Sequence, residues 1–169
     1  LTTGTDAFAG TGRLFTLPAG RRHMEKVDID DVEPAFMDGS DLDRRGLSEH
    51  LGTDDLAINY YAIEPGESLS GGMHAHFDQE EVFYVVEGEV TFETPDDEFD
   101  VGAHEVVRFA PGDFQTSVND GDETAVVLAL GAPKPSEDVR VPMACRECGE
   151  SETLQFLMDK EGGEHRLRC

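Results

Sequence analysis

His74, His76 and Glu81 are the residues of this chain whose types and spacing best suit the binding of a metal ion. Alternate residues of a β-strand project from the same face, so the imidazoles of His74 and His76 can both reach one ion. Such a pair alone is common at protein surfaces, but Glu81 and then Gly88 follow at a spacing that predicts a carboxylate opening the next strand and a turn closing it. Two neutral imidazoles and a carboxylate form the triad typical of mononuclear iron, and they also suit manganese, nickel, zinc or copper.

A series of short strands is predicted to position these residues. The segments are rich in β-branched and aromatic residues, recur at about ten-residue spacing and show no helical period. Turn residues such as Gly66, Gly88 and Gly112 separate them. The predicted strands are residues 56–63, 82–86, 90–92, 105–109, 114–118 and 124–130. The sequence therefore predicts an all-β sandwich or barrel over residues 24–132.

The motif around the two histidines resembles the first motif of the cupin family. Residues 74–81 read His-Ala-His-Phe-Asp-Gln-Glu-Glu and are followed by the hairpin glycine Gly88, and residues 65–66 supply the Pro-Gly turn that cupins place upstream. Residues 110–115, Ala-Pro-Gly-Asp-Phe-Gln, followed by Asn119, resemble the second cupin motif. The resemblance covers residues 56–130 and implies a small single-domain cupin of the type-2 kind, an antiparallel β-barrel or jelly roll with a divalent metal in its mouth.

The resemblance departs from the family at Gln115, which occupies the position of the third cupin histidine. An amide oxygen can ligate a metal, although it is a harder and weaker donor than imidazole. Some sugar-phosphate isomerases of this fold use a similar ligand, so the predicted metal set is His74, His76, Glu81 and Gln115. The alternative is that Gln115 lines the site and hydrogen-bonds a ligand.

Glu80 is the rival to Glu81 as the carboxylate ligand, because cupins tolerate three or four residues between the second histidine and the glutamate. On a strand, Glu81 shares a face with Phe83 and Val85, whereas Glu80 belongs to the opposite face. The spacing to Gly88 also fits Glu81. We therefore expect Glu81 to face the metal.

The C-terminal segment carries a second candidate metal site. Cys145 and Cys148 form a Cys-x-x-Cys-Gly knuckle, and strands at 154–158 and 165–167 would return Cys169 to it, as in a zinc ribbon. The fourth ligand is either His165 or a residue beyond the end of the given sequence. The alternative is three reduced cysteines without metal. This predicts a zinc-ribbon-like hairpin at 143–169, joined to the barrel by a polar linker at 133–142.

Charge sets the broad class of the protein. The chain holds 13 Lys and Arg against 37 Asp and Glu, a formal net charge of −24. Such an excess argues against binding to nucleic acid or anionic membranes, and it resembles proteins of salt-adapted archaea, where molar salt screens the repulsion. The basic character of residues 1–23 differs from the rest and predicts an N-terminal extension before Met24. Lacking an apolar run of membrane-spanning length and a signal-peptide pattern, the sequence predicts a cytoplasmic protein.

Two functions fit these features. The first is a metal-dependent enzyme, an oxygenase or isomerase, that acts on a small molecule in the barrel mouth; the sequence identifies no independent general base. The second is a non-catalytic sensor or binding module whose zinc ribbon docks a partner. Because both faces of the strand at 82–86 are apolar, we also expect a homodimer that covers the outer face.

Overall fold

The computed structural model of the protein describes residues 24–35, 42–158 and 165–169, with the side chains of Met158 and His165 excepted. The predicted N-terminal extension at 1–23 lies outside the described residues. Among the described residues, the regular elements comprise a 3₁₀ turn (Ile29–Asp31), one short helix α1 (Ser48–Leu51) and twelve strands. The strands are β1 (Asp43–Gly46), β2 (Ala57–Ile63), β3 (Ala75–His76), β4 (Glu80–Glu87), β5 (Glu89–Glu93), β6 (Glu98–Gly102), β7 (Val106–Phe109), β8 (Thr116–Val118), β9 (Ala125–Ala132), β10 (Val139–Val141), β11 (Leu154–Met158) and β12 (His165–Arg168). In the part of the chain that the structure describes, the helices are single short turns, and none could cross a membrane.

Three antiparallel sheets are formed from these strands. The largest has the order β1-β2-β9-β4-β7, the second has the order β6-β5-β8, and the third, β12-β11-β10-β3, carries the C-terminal segment. The first two sheets enclose a common core in which the largest fully buried side chain, Phe92 of β5, packs against Phe83 of β4 and Phe109 of β7. The prediction of an all-β barrel is confirmed.

Cross-strand rows explain which residues of the large sheet face inward. Tyr61, Val127 and Val85 are paired across β2, β9 and β4, and all three are buried. Because side chains alternate along a strand, the residues two positions away face the same interior. Glu81 therefore lies on the inner face, as its parity with Phe83 and Val85 predicts.

Gly88 closes the turn between β4 and β5, and its conformation and surroundings both require glycine. Its φ is +76°, and a Cβ at this position would lie 2.9 Å from the Cα of Ala125. A side chain would be strained in this left-handed conformation and would also collide with β9. The hairpin predicted from the glycine is thus present, with β4 and β5 joined directly at Gly88.

The structure differs from the sequence prediction in two strands. β6 (Glu98–Gly102) pairs with β5. Its acidic residues obscure the apolar–polar alternation of the sequence, although Phe99 and Val101 are less exposed than Asp100 between them. The segment 133–142, predicted as a polar linker, contains β10 (Val139–Val141), which pairs with both β3 and β11. The polar composition of the segment reflects its position at the surface, and hydrogen bonds to both neighbours order its backbone.

Candidate metal centre

The candidate ligands come from three separate segments of the fold. His76 ends the short strand β3, and His74 precedes it and pairs with Gln115 through two backbone hydrogen bonds of 3.0 and 2.9 Å. Glu81 lies near the start of β4, opposite Gly131 on β9 and Phe109 on β7. The strand β3 and the strand β4 belong to different sheets, and the fold brings the two histidines and the carboxylate together.

The ligand atoms of His74, His76 and Glu81 all lie within 4.8 Å of one another. Nε2 of His76 is 3.4 Å from Oε1 of Glu81, and the two imidazole centroids are 5.3 Å apart. Metal–ligand bonds of about 2.0–2.2 Å place neighbouring ligand atoms about 3.0–3.5 Å apart. The donor set therefore fits one divalent ion with little movement of the side chains.

Hydrogen bonds at Nδ1 fix how each imidazole faces the centre. Nδ1 of His74 lies 2.9 Å from the carbonyl oxygen of Gly72, a contact in which the nitrogen donates. Nδ1 of His76 lies 2.7 Å from Oγ of Ser136, and that hydroxyl donates to Oδ1 of Asp78 at 2.7 Å. With its hydrogen committed to Asp78, Ser136 accepts from His76. Protonation at Nδ1 leaves the Nε2 lone pair of each ring available for a metal, which is the arrangement common around metal-binding histidines.

Gln115 is almost fully buried and contacts the carboxylate of the site. Its Nε2 donates to Oε2 of Glu81 at 3.2 Å, while Oε1 of the same carboxylate faces His76. This geometry corresponds to the alternative in which Gln115 lines the site and orients another group. Its role as a fourth ligand stays a prediction.

Burial shifts the pKa values of the site in the direction that favours neutral groups. Burial raises the pKa of Glu81 to about 7 from its ordinary 4.5, although the hydrogen bond from Gln115 opposes the rise. Burial and then His74 lower the pKa of His76 to about 4, against a smaller opposite effect of Asp78. The imidazoles are therefore neutral at pH 7, which is the form that binds metals. The carboxyl group of Glu81 is partly protonated at this pH, and a bound cation would replace its proton.

Glu80 and Tyr84 both lie outside the site. The carboxylate of Glu80 accepts a hydrogen bond of 2.6 Å from Nε of Arg108, and both side chains are about half exposed. The hydroxyl of Tyr84 contacts Nδ1 of His104 at 2.9 Å on the outer face. Between the two rival carboxylates, only that of Glu81 reaches the histidines.

Sequence reasoning missed two groups that shape the site, Ser136 and Gln79. Ser136 lies sixty residues from His76 in a segment predicted as a linker, so no local signal indicates it. Gln79 is buried and donates to the carbonyl of Pro133 at 2.6 Å, and it occupies the space where a side chain at Gly131 would lie. Gln79 lies two residues before Glu81 and so shares its inward face, and this spacing is the feature of the sequence that could have identified it.

The three cysteines form a second cluster at the protein surface. The sulfur atoms of Cys145, Cys148 and Cys169 lie within 4.8 Å of one another, and those of Cys148 and Cys169 are 3.2 Å apart. The latter separation exceeds a disulfide bond of about 2.05 Å, and all three cysteines are free. Tetrahedral zinc with bonds of about 2.3 Å needs sulfurs about 3.8 Å apart, so the cluster fits the ion after small adjustments.

Backbone amides favour a thiolate at Cys148. Hydrogen bonds from the backbone of Glu150 and then Ser151, with help from the other two thiols, lower the pKa of Cys148 to about 6. Gly149, with a φ of +69°, allows the turn that follows the knuckle. The backbone of His165 pairs with Met158 in the β11–β12 hairpin, but the His165 side chain lies outside the described residues.

The cysteine cluster is connected to the barrel site through one continuous sheet. β10 pairs Val139 with His76 and Arg140 with Ala75, and its other edge pairs with β11. Asp78 also accepts hydrogen bonds from the backbone of Glu137 at 2.7 Å and Asp138 at 3.1 Å. The segment after the barrel thereby supplies part of the support for His76.

Comparison with known proteins agrees with this fold. Residues 59–131 match the family model described as Cupin domain. The structure is similar to a sugar phosphate isomerase from a cupin superfamily of Silicibacter pomeroyi, with 20% identity, coverage of 84% of this chain and 90% of that chain, and a TM-score of 0.65. It is also similar to a putative sugar phosphate isomerase from Acidithiobacillus ferrooxidans (24% identity, 75% and 74% covered, TM-score 0.56). A predicted oxalate decarboxylase from Thermotoga maritima gives 21% identity, 64% and 98% covered, and a TM-score of 0.55. No curated protein matches the chain in sequence.

Proposed function

Since the chain has the fold of a small cupin, we propose that it binds one divalent metal ion through His74, His76 and Glu81 and acts on a small molecule in the barrel mouth. The observation that carries this proposal is the convergence of the three donors within 4.8 Å, with both Nδ1 atoms already hydrogen-bonded. Side chains held in this way lose little further freedom when an ion binds, because their orientation is already fixed.

The chemistry proposed for the site is polarisation of a substrate oxygen or activation of dioxygen, which a bound Fe, Mn, Ni, Zn or Cu ion would supply. An isomerase and an oxygenase both fit this donor set. Gln115 holds the carboxylate of Glu81 and can also present its amide to a substrate. Among the described residues, the polar side chains that contact the triad are Gln115 and Ser136, neither of which is a strong base at neutral pH.

Elemental analysis of protein purified without a histidine tag tests this proposal. We expect about one metal ion per barrel, and loss of that ion in His76→Ala but not in His50→Ala, since His50 is exposed and remote from the triad. Oxygen-uptake and isomerisation assays against phenols, thiols and sugar phosphates then identify the reaction. Retention of the barrel metal in His76→Ala would contradict the proposed ligand set.

For the C-terminal cluster we propose a zinc ion bound by Cys145, Cys148 and Cys169, with His165 as the fourth ligand. Its support is the proximity of the three free thiols and the low pKa of Cys148. The second candidate function rests on this cluster: a non-catalytic metal or ligand sensor whose C-terminal segment docks a partner protein. The specific observation in its favour is the pairing of β10 with β3, which links the surface cluster to His76. Turnover of any assayed substrate by the metal-loaded protein would favour the enzyme over the sensor.

We also propose that the outer face of the large sheet covers that of a second copy. Tyr60, Leu128 and Tyr84 form a row across this face, and each is only partly buried within the chain. Arg45 on the same face is paired with Asp43, and Arg108 with Glu80. A chain of net charge −24 repels its own copies least through a face whose charges are paired. Light scattering should therefore give the mass of a dimer, and Leu128→Glu should give that of a monomer.

A further inference from the structure

Arg44 is a cation on the inner face of the barrel in an otherwise strongly acidic protein. It lies on β1 opposite Tyr61 of β2, and Tyr61 is buried in the core. Leu42, two residues earlier and on the same face, is also part of the core. The strand register therefore directs the Arg44 side chain toward the interior that contains Glu81, whereas its neighbour Arg45 points to the outer face.

Among the described residues, the side chain of Arg44 donates to neutral acceptors. Its Nε donates to the hydroxyl of Tyr61 at 3.1 Å, Nη1 to the carbonyl of Ala35 at 3.1 Å and Nη2 to Oδ1 of Asn59 at 2.7 Å. Within residues 24–35, 42–158 and 165–169, no carboxylate lies within 4.0 Å of this guanidinium. A guanidinium has five N–H donors, so each terminal nitrogen keeps one N–H that these three bonds do not use.

Arg45 provides the contrast on the next residue. Its Nε and Nη2 donate to the two oxygens of Asp43 at 2.8 and 2.9 Å, and Asp30 lies 3.6 Å from Nη1. Arg45 is therefore neutralised by carboxylates at the outer face. In a chain with 37 acidic residues, the described side-chain contacts of the partly buried Arg44 are instead with neutral groups.

Small residues lie on the inner face between Arg44 and the candidate metal ligands. Ala129 of β9 and Gly46 of β1 pair with Asn59, and Ala57 pairs with Gly131 beside Glu81. Burial raises the pKa of Tyr61, Arg44 opposes that rise and Glu81 adds to it, so the ring lies within electrostatic range of both. Three strand intervals of about 4.8 Å separate β1 from β4. The side chains of Arg44 and Glu81 both project from the inner face of this sheet, with these small residues between them.

We propose that Arg44, positioned by Tyr61 and Asn59, binds the oxyanion of the ligand, a carboxylate or a phosphate group. This inference deepens the proposed function, on which it rests, by naming the ligand class of the same site. A guanidinium whose remaining N–H groups lie on its two terminal nitrogens matches the two oxygens of a carboxylate or phosphate. The oxyanion would neutralise the inward cation, while another oxygen of the same molecule faces the metal ligands.

Isothermal titration of the full-length protein with named probes tests this inference. The probes are inorganic phosphate, malonate and the uncharged analogue malonamide, in constant salt, against wild type, Arg44→Met and the matched control Arg45→Met. We expect phosphate or malonate to bind wild type and Arg45→Met with similar affinity, and to bind Arg44→Met at least tenfold more weakly. Malonamide should not bind measurably.

Arg44→Lys keeps the test decisive if Arg44→Met fails to fold, as checked by circular dichroism. Lysine retains the charge but lacks the planar fork, so we expect malonate to bind at least threefold more weakly. Equal affinity in wild type and either folded Arg44 variant, or no anion binding by wild type, would overturn the inference. Metal content is measured on the same samples: absence of metal with Arg44-dependent anion binding would overturn the proposed metal function and leave the anion site standing.

Discussion

The barrel site and the cysteine cluster each gather three side chains that could hold a metal ion, yet they differ in how the fold holds them. In the barrel, His76 and Glu81 are less than one fifth exposed, and each is fixed by a further hydrogen bond, to Ser136 or from Gln115. At the C-terminus, Cys148 and Cys169 are exposed, and a turn and a two-stranded hairpin hold them. The difference teaches that the first site is organised by the core of the protein, whereas the second is held by local backbone at the surface.

Removal of one ligand from each site should give the largest effects and separate the two sites. Glu81→Gln should weaken metal binding in the barrel by at least about 100-fold, more than the loss of a supporting hydrogen bond, and leave zinc at the cysteines. Cys148→Ser should do the reverse. Metal content per chain, measured by mass spectrometry after gel filtration, checks both expectations.

Glu80→Gln is the matched control for Glu81→Gln, because Glu80 is adjacent in sequence but bound to Arg108 outside the site. It should keep the metal content of wild type. Simultaneous loss of both ions from any one of these variants would show that the two sites do not bind independently.

Ser136→Ala should have the next largest effect, because it removes the group that fixes Nδ1 of His76. Loss of such a supporting partner typically costs about 10- to 100-fold in metal affinity. Thr91→Ala is the control, since its hydroxyl also donates to a carboxylate, that of Asp100, but on a remote hairpin. Competition with a chromogenic chelator measures the affinities; equal values for Ser136→Ala and wild type would mean that the serine does not orient the ligand.

Acidity should weaken the barrel site by about tenfold per pH unit below pH 7, since a metal must displace the proton of Glu81. The stability of the metal-free protein should change less. The raised pKa of Glu81 makes the folded state bind more protons, so its contribution falls as pH rises from 4.5 to 7. The lowered pKa of His76 acts oppositely between about 4 and 6.5.

The metal-induced rise in melting temperature should therefore increase from pH 6 to pH 8. Calorimetry with and without metal at each pH checks this expectation. A constant rise across that range would show that Glu81 does not exchange its proton for the ion.

Salt should have the smallest effect on the barrel site and a larger one on the fold as a whole. The Debye length increases from about 3 Å at 1 M to about 10 Å at 0.1 M, so repulsion among surface carboxylates grows as salt is removed, whereas buried groups are screened little at either concentration. With a net charge of −24, the protein should melt at a lower temperature in 0.1 M than in 2 M potassium chloride. An unchanged or higher melting temperature in low salt would contradict the salt adaptation expected from the sequence.

Much of the fold could be predicted from sequence because alternation and turn residues act locally. The segments predicted at 56–63 and 124–130 correspond closely to β2 (Ala57–Ile63) and β9 (Ala125–Ala132), and Gly88 has the positive φ that its hairpin position indicates. β6 was missed because acidic residues interrupt its apolar pattern, and β10 because three residues carry too little pattern to predict a strand.

By itself the sequence determined which residues can approach one another at the candidate metal centre: the spacing of His74, His76 and Glu81 and the parity of the strands follow from local rules. Only the tertiary structure decided what holds those side chains and what faces them. Ser136 reaches His76, and Arg44 the inner face of the barrel, through pairings of distant strands, and no local pattern encodes a contact between residues so far apart in the chain. The physical reason is that periodicity sets the face on which a side chain lies, whereas packing of the sheets sets its partner.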